Sequence, residues 1–190
     1  MSENYVAWKV AGQRVLLSWL SILLLGTVLL VPRVGIAEHS IYTSLEKKCW
    51  NTKYQGQSAR ECMGIRDWRL LIVYEPERSY LVLRKKGYEK NLRDDIFSEE
   101  IGHFPEIRSP RKGTDLLAEW RLDSQGRPRA LIFRVFGVDP KKSLQEDPNP
   151  YKSSLIIVRL DQPACVLGIV NDNERARLLA DSNTQCEKAP

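Results

Sequence analysis

Leu116-Leu117-Ala118-Glu119-Trp120-Arg121-Leu122, then Asp123-Ser124-Gln125-Gly126-Arg127-Pro128, then Arg129-Ala130-Leu131-Ile132-Phe133-Arg134-Val135-Phe136-Gly137, is the stretch on which the fold turns. In its first part Leu116, Ala118, Trp120 and Leu122 fall on one side of an extended chain and Glu119, Arg121 and Asp123 on the other, the period-two pattern of a half-buried strand. The middle segment holds Gly and Pro among short polar residues and reads as the turn of a hairpin. The return strand is apolar on both faces, which makes it central and requires something to lie over each side of the sheet. Trp120 is expected in the core.

Outward from this hairpin the β signal continues. Residues 68–74 and 79–84 are rich in aromatic and branched side chains and flank Glu75-Pro76-Glu77-Arg78, a second hairpin. Residues 154–160 and 165–170 form a third around Asp161-Gln162-Pro163. Residues 41–45 read as one further short strand, and 51–60 as a polar loop. After the last strand Asn171 or Asp172 can cap a helix running through Arg175, Leu178, Leu179 and Ala180 and ending near Asn183. Two stretches are irregular. In residues 87–115, Leu92, Ile96 and Ile101 support a short helix before Pro105 and Pro110, while 138–152 is a long polar loop with three prolines. The architecture expected is α+β: one antiparallel sheet of six or seven strands built from consecutive hairpins, with a C-terminal helix packed on it.

The beginning of the chain differs in kind. Residues 15–31 carry no charge and are mostly Leu, Val and Ile, after Lys9 and Arg14 and before Pro32 and Arg33. This is an export signal, with a single-span anchor as the alternative. Gly35 and Ala37 offer the small residues of a cleavage site, which would divide the chain into a signal at 1–37 and one domain at 38–190. Of 29 basic and 24 acidic residues in the 190-residue chain, the signal holds Lys9, Arg14, Arg33 and Glu3, so the domain is about +3. So small a charge, spread among alternating acids and bases, argues against a nucleic-acid protein.

All four cysteines, Cys49, Cys62, Cys165 and Cys186, follow the apolar segment. An even count beyond an export signal reads as two disulfides, and local closure favours Cys49 with Cys62 and Cys165 with Cys186. A metal site is disfavoured, because no close cysteine pair exists and the chain has only His39 and His103. His39 would offer copper its amine only if it became the first residue, and cleavage after Ala37 leaves it second. No cofactor is called for.

Catalytic patterns are equally sparse. The sequence lacks the nucleophile elbow of a hydrolase, the Ser-x-x-Lys run and any phosphate-binding glycine loop. Asp94-Asp95 and Glu99-Glu100 resemble a glycosidase's carboxylates in type alone, since adjacent acids on a polar segment usually form a solvated face. Basic clusters stand out at Arg84-Lys85-Lys86, at Arg108 with Arg111 and Lys112, and at Lys141-Lys142. Those at Arg108, Arg111, Lys112, Lys141 and Lys142 lie in the two irregular segments and form the candidate binding surface, suited to an envelope protein or an anionic glycan.

Tyr42-Thr43-Ser44-Leu45 followed by Cys49, then Glu119-Trp120-Arg121-Leu122, Gly126-Arg127-Pro128, the strand with Arg134 and a late helix before Cys186, resemble a group of small uncharacterised secreted or periplasmic proteins of proteobacteria. The likeness spans residues 41–186, and the chain departs from it in a longer loop at 138–152. It implies export, two disulfides and a compact domain, and no activity. The functional expectation is a non-catalytic binding module. The alternatives are a small periplasmic hydrolase and a membrane-anchored accessory domain.

Overall fold

The computed structural model describes residues 39–97, 100–108, 114–145 and 147–186. The apolar segment and the expected cleavage site, together with Arg111 and Lys112, lie outside the described residues. Two antiparallel sheets, not one, make up the fold. The first contains strands β1 (Ser40–Ser44), β8 (Leu117–Leu122), β9 (Pro128–Val138), β10 (Tyr151–Arg159) and β11 (Cys165–Val170) in that spatial order, and β7 (His103–Glu106) also pairs with β9. The second is a meander of β2 (Cys49–Tyr54), β3 (Gln57–Met63), β4 (Arg69–Glu75), β5 (Arg78–Lys85) and β6 (Tyr88–Asn91). Helices α1 (Arg93–Ile96), α2 (Pro140–Leu144) and α3 (Asn173–Asp181) complete the described chain.

The second sheet exists because residues 51–60, expected as a loop, form a hairpin. Gln55 and Gly56 both have positive φ, 49° and 85°, the backbone of a two-residue turn whose twist matches the strands it joins. The strands on either side are mostly polar because they lie toward the sheet's margin, and only Tyr54, Ala59 and Cys62 among them are buried. Cys49 stands directly opposite Cys62 in the register and is bonded to it, with Cα atoms 4.1 Å apart.

The central hairpin forms as expected, with Trp120 opposite Leu131 and the turn closed by Asp123 accepting from the backbone N–H of Arg127 at 2.8 Å. Trp120, Ala118, Leu131, Phe133 and Val135 face a core shared with Leu70, Ile72, Leu81 and Leu83 of the meander. On the other side of β9 and β10, Ala130, Ile132, Leu155 and Ile157 meet Ala176 and Ala180 of α3. This is the double cover that the two-faced apolar strand required. Gly168 lets the helix sit close, since a Cβ there would come within 2.8 Å of Leu179 Cδ2.

Two further expectations need correction. β8 is buried on both faces, because α3 lies over Glu119 and Arg121 as well as over apolar neighbours. Leu178 is 68% exposed, the buried stripe of α3 being its alanines, since small side chains allow the helix backbone to approach the sheet. The irregular segments are also more ordered than their composition suggested. Leu92, Ile96 and Ile101 are buried as read, but 87–115 adds β6 and β7, and 138–152 holds α2, capped by Asp139 with Pro140 in its first turn.

The second disulfide joins Cys165 to Cys186 with Cα atoms 5.7 Å apart, fastening the segment after α3 to the start of β11. Both bridges fit an oxidising environment. Among the described residues no helix is long and apolar enough to cross a membrane. Non-reducing peptide mapping is expected to recover these two pairs and no free thiol. Loss of either bridge should lower stability by about 2–4 kcal/mol, read from urea unfolding with and without reductant.

Candidate functional site

Two assemblies of side chains stand out, one where the irregular segments meet and one under the C-terminal helix. The first begins at the β4–β5 turn. Arg78 is paired with Glu75 across this turn, and Arg93, from the start of α1, donates through Nε to the same carboxylate at 2.9 Å. Gln57 Nε2 adds a contact at 3.5 Å. The Glu75 side chain is only 8% exposed, and the hydrogen bond from Arg93, backed by Arg78, outweighs burial and holds the carboxyl below its ordinary range. With their heads fixed on Glu75, the two guanidinium groups lie against the ring of Phe97, at 4.2 Å for Arg78 and 5.2 Å for Arg93. Tyr80 meets the same ring edge-on at 6.4 Å.

Opposite this platform runs the segment Gly102-His103-Phe104-Pro105. It crosses β9 where glycines face it: a Cβ on Gly137 would stand 2.3 Å from the Ile101 carbonyl oxygen, and one on Gly102 would stand 2.5 Å from that of Val138. The backbone contact is therefore closer than any side chain allows. Farther on, the Ile107 N–H donates to the buried Ser79 hydroxyl at 2.7 Å, holding the strand from its other end. Between these anchors Phe104 takes φ of 51° and leaves half its surface exposed. Such a backbone costs a bulky residue about 1–3 kcal/mol, and it persists only where the surroundings enforce it.

Together these parts enclose an open cleft of about 980 Å³. Its third wall is the start of α2, where Asp139 accepts from the Lys141 N–H at 3.0 Å and Lys141 reaches the rim. Lys152 and Glu77 also line it, so the lining carries Arg78, Lys141 and Lys152 against Glu75, Glu77 and Asp139. The charges balance.

No family model, curated protein or solved structure matches the chain.

Of the residues singled out by sequence, Lys141 reaches the cleft, and so does His103. Lys142 instead turns to Asp147 at 3.9 Å, and exposed Arg108 pairs with Glu106 at 3.3 Å, away from the cleft lining. Arg84 and Lys85 of the third basic cluster pair with Glu89 and Asp67 at 2.8 and 3.8 Å. Asp94 and Asp95 pair with Arg93 and Lys90. Among the described residues no group of three His, Cys, Asp or Glu side chains could hold a metal. Phe97, Phe104, Arg78 and Arg93 escaped the sequence reading. The one signal for them was an aromatic residue set between Gly102 and Pro105, since glycine and proline flanking an aromatic in a loop mark a shaped turn.

The second assembly joins α3 to β8 and β1. Arg177 grips Glu119 with Nε at 2.8 Å and a terminal nitrogen at 3.1 Å, Ser40 Oγ donates to it at 2.7 Å, and Arg121 lies 3.4 Å away. Arg121 in turn holds Asp181, with Nε 2.7 Å from the carboxylate. Burial alone would push the Glu119 carboxyl up, but the bonds from Arg177 and Ser40 and the charges of Arg177 and Arg121 hold it below its ordinary range. Reciprocally, the bidentate contact with Glu119 raises the Arg177 guanidinium. These groups saturate one another, and their role is to clamp the helix.

Proposed function

We propose that this domain is a non-catalytic binding module of an exported protein, and that it holds a segment of a partner protein in the cleft between the β4–β5 turn, Phe104 and the start of α2. The observation that carries the reading is Phe104: a half-exposed aromatic fixed in a costly backbone conformation at the mouth of this cleft. Rigid aromatic anchors in concave sites dominate binding energy, and their rigidity reduces the entropy lost on association. The balanced lining favours a protein over an anionic glycan, whose repeated charges would need an uncompensated basic surface. Glu75, kept ionised by two arginines, is suited to hold the platform and unsuited to donate a proton. The disulfides and the resemblance to exported proteobacterial proteins support the compartment.

The test is affinity capture from envelope extract with the wild-type protein and Phe104→Ala as paired baits, followed by kinetics on the captured partner. Phe104→Ala should weaken binding at least tenfold, mainly through faster dissociation. Lys141→Glu should instead slow association, with an effect that fades as salt rises. Equal capture by both baits would refute the cleft as the site, and capture of glycan in place of protein would reassign the ligand.

A further inference from the structure

Arg134 stands apart from every other buried or half-buried cation of the second assembly. It projects from β9 on the face covered by α3, and its hydrogen-bonding partners are neutral: Ser153 Oγ at 2.8 Å and Asn173 Oδ1 at 3.2 Å. A guanidinium carries five N–H donors, so these two contacts leave capacity unused. Among the described residues no carboxylate pairs with it, and burial lowers its proton affinity. Nearby, Glu119 is engaged by Arg177 and Arg121, and Asp181 by Arg121. Asp115, at the far end, is taken by Ser44 at 2.6 Å and Lys47 at 3.0 Å. Arg134 itself is held by neutral groups, while these carboxylates are engaged by other cations.

Arg134 lines a groove of about 300 Å³ between α3 and the sheet, floored by Ile132, Leu155, Phe136, Leu116 and Leu117, with Asp115, Glu119 and Arg177 also in its wall. That volume is at the small end of ligand pockets, roughly 300–1,000 Å³. We propose that this groove is a binding site for a small amphiphilic carboxylate, its head paired with Arg134 and its short hydrocarbon chain laid on the apolar floor. A planar carboxylate matches the fork of a guanidinium through two parallel hydrogen bonds, and the half-buried setting strengthens the pair relative to one in water. Leu117, 49% exposed, gives the chain an apolar surface that is otherwise open to solvent. The site is separate from the cleft and does not depend on the reading given to it.

Hexanoate, 1-hexanol and hexylammonium titrated into the purified full-length protein test the assignment, by calorimetry and by methyl NMR shifts at Ile132 and Leu155. Hexanoate is expected to bind at one saturable site, hexanol at least tenfold more weakly and hexylammonium not at all. Arg134→Gln should weaken hexanoate at least tenfold. Asn173→Asp should do the same by supplying the missing counter-ion from an exposed position in the first turn of α3, where an acid does not harm the fold. Failure of hexanoate to bind at millimolar concentration, equal binding of hexylammonium, or unchanged affinity in Asn173→Asp would each overturn the proposal.

Discussion

Trp120→Ala is expected to destabilise the domain by about 3–5 kcal/mol, the range for aromatic truncation in a packed core. Trp120 is fully buried, its Nε1 donates to Thr43 Oγ1 at 2.8 Å, and its ring lies 6.5 Å from that of Trp68. Gly64 leaves room for it, since a Cβ there would come within 2.8 Å of Trp120 Cζ2. Truncation therefore empties the junction of the two sheets and leaves the half-buried Thr43 hydroxyl without this donor. Urea unfolding of the variant checks the value. A cost under about 1 kcal/mol would contradict this packing, because a cavity of that size cannot close without moving both sheets.

Glu119→Ala should cost up to about 3–5 kcal/mol, the range for breaking a buried ion pair, because it removes the carboxylate that Arg177 grips and leaves Arg121 with Asp181 alone. Glu119→Gln separates charge from shape: it keeps the hydrogen-bond geometry and should still lose much of the stability. The same group sets an acid limit. Its carboxyl is depressed in the folded state, so the stability it contributes is complete above the unfolded value of about 4.3 and is lost as pH falls through the lower folded value. Unfolding free energy followed from pH 6 downward should fall less steeply for Glu119→Gln than for wild type. Parallel slopes would exclude Glu119 as a source of the acid sensitivity.

Strands whose apolar residues alternate or run together were legible in the sequence: both central hairpins, the burial of Trp120 and the two-sided cover of β9 follow from composition at period two. The C-terminal helix was legible from its cap, but its register was not. Leu178 is exposed and Leu179 only partly buried, and the buried residues are Ala176 and Ala180 because close approach to the sheet favours small side chains. The second sheet was missed for a related reason. β2 and β3 bury few side chains, so no periodicity marked them, and their pairing rests on a turn and a disulfide. The cleft was legible only as two irregular segments. Their meeting depends on the backbone contact at Gly102 and Gly137, 35 positions apart in the chain, which no local pattern records.

The two sheets differ in how far apart their partners lie along the chain, and this sets an order of assembly. Every neighbour in the five-stranded meander is the next strand in sequence, so each pairing closes a short loop and can form as soon as its residues are free. The six-stranded sheet opens with β1, whose Ser40 bonds to Arg121 across 81 positions, and that contact waits for the whole meander to be made. A chain released from its N-terminus thus folds its middle first and its beginning late. Until β8 arrives, β1 is an uncharged strand with no partner, Ser40 to Ser44, and it is the segment most open to mispairing with other chains.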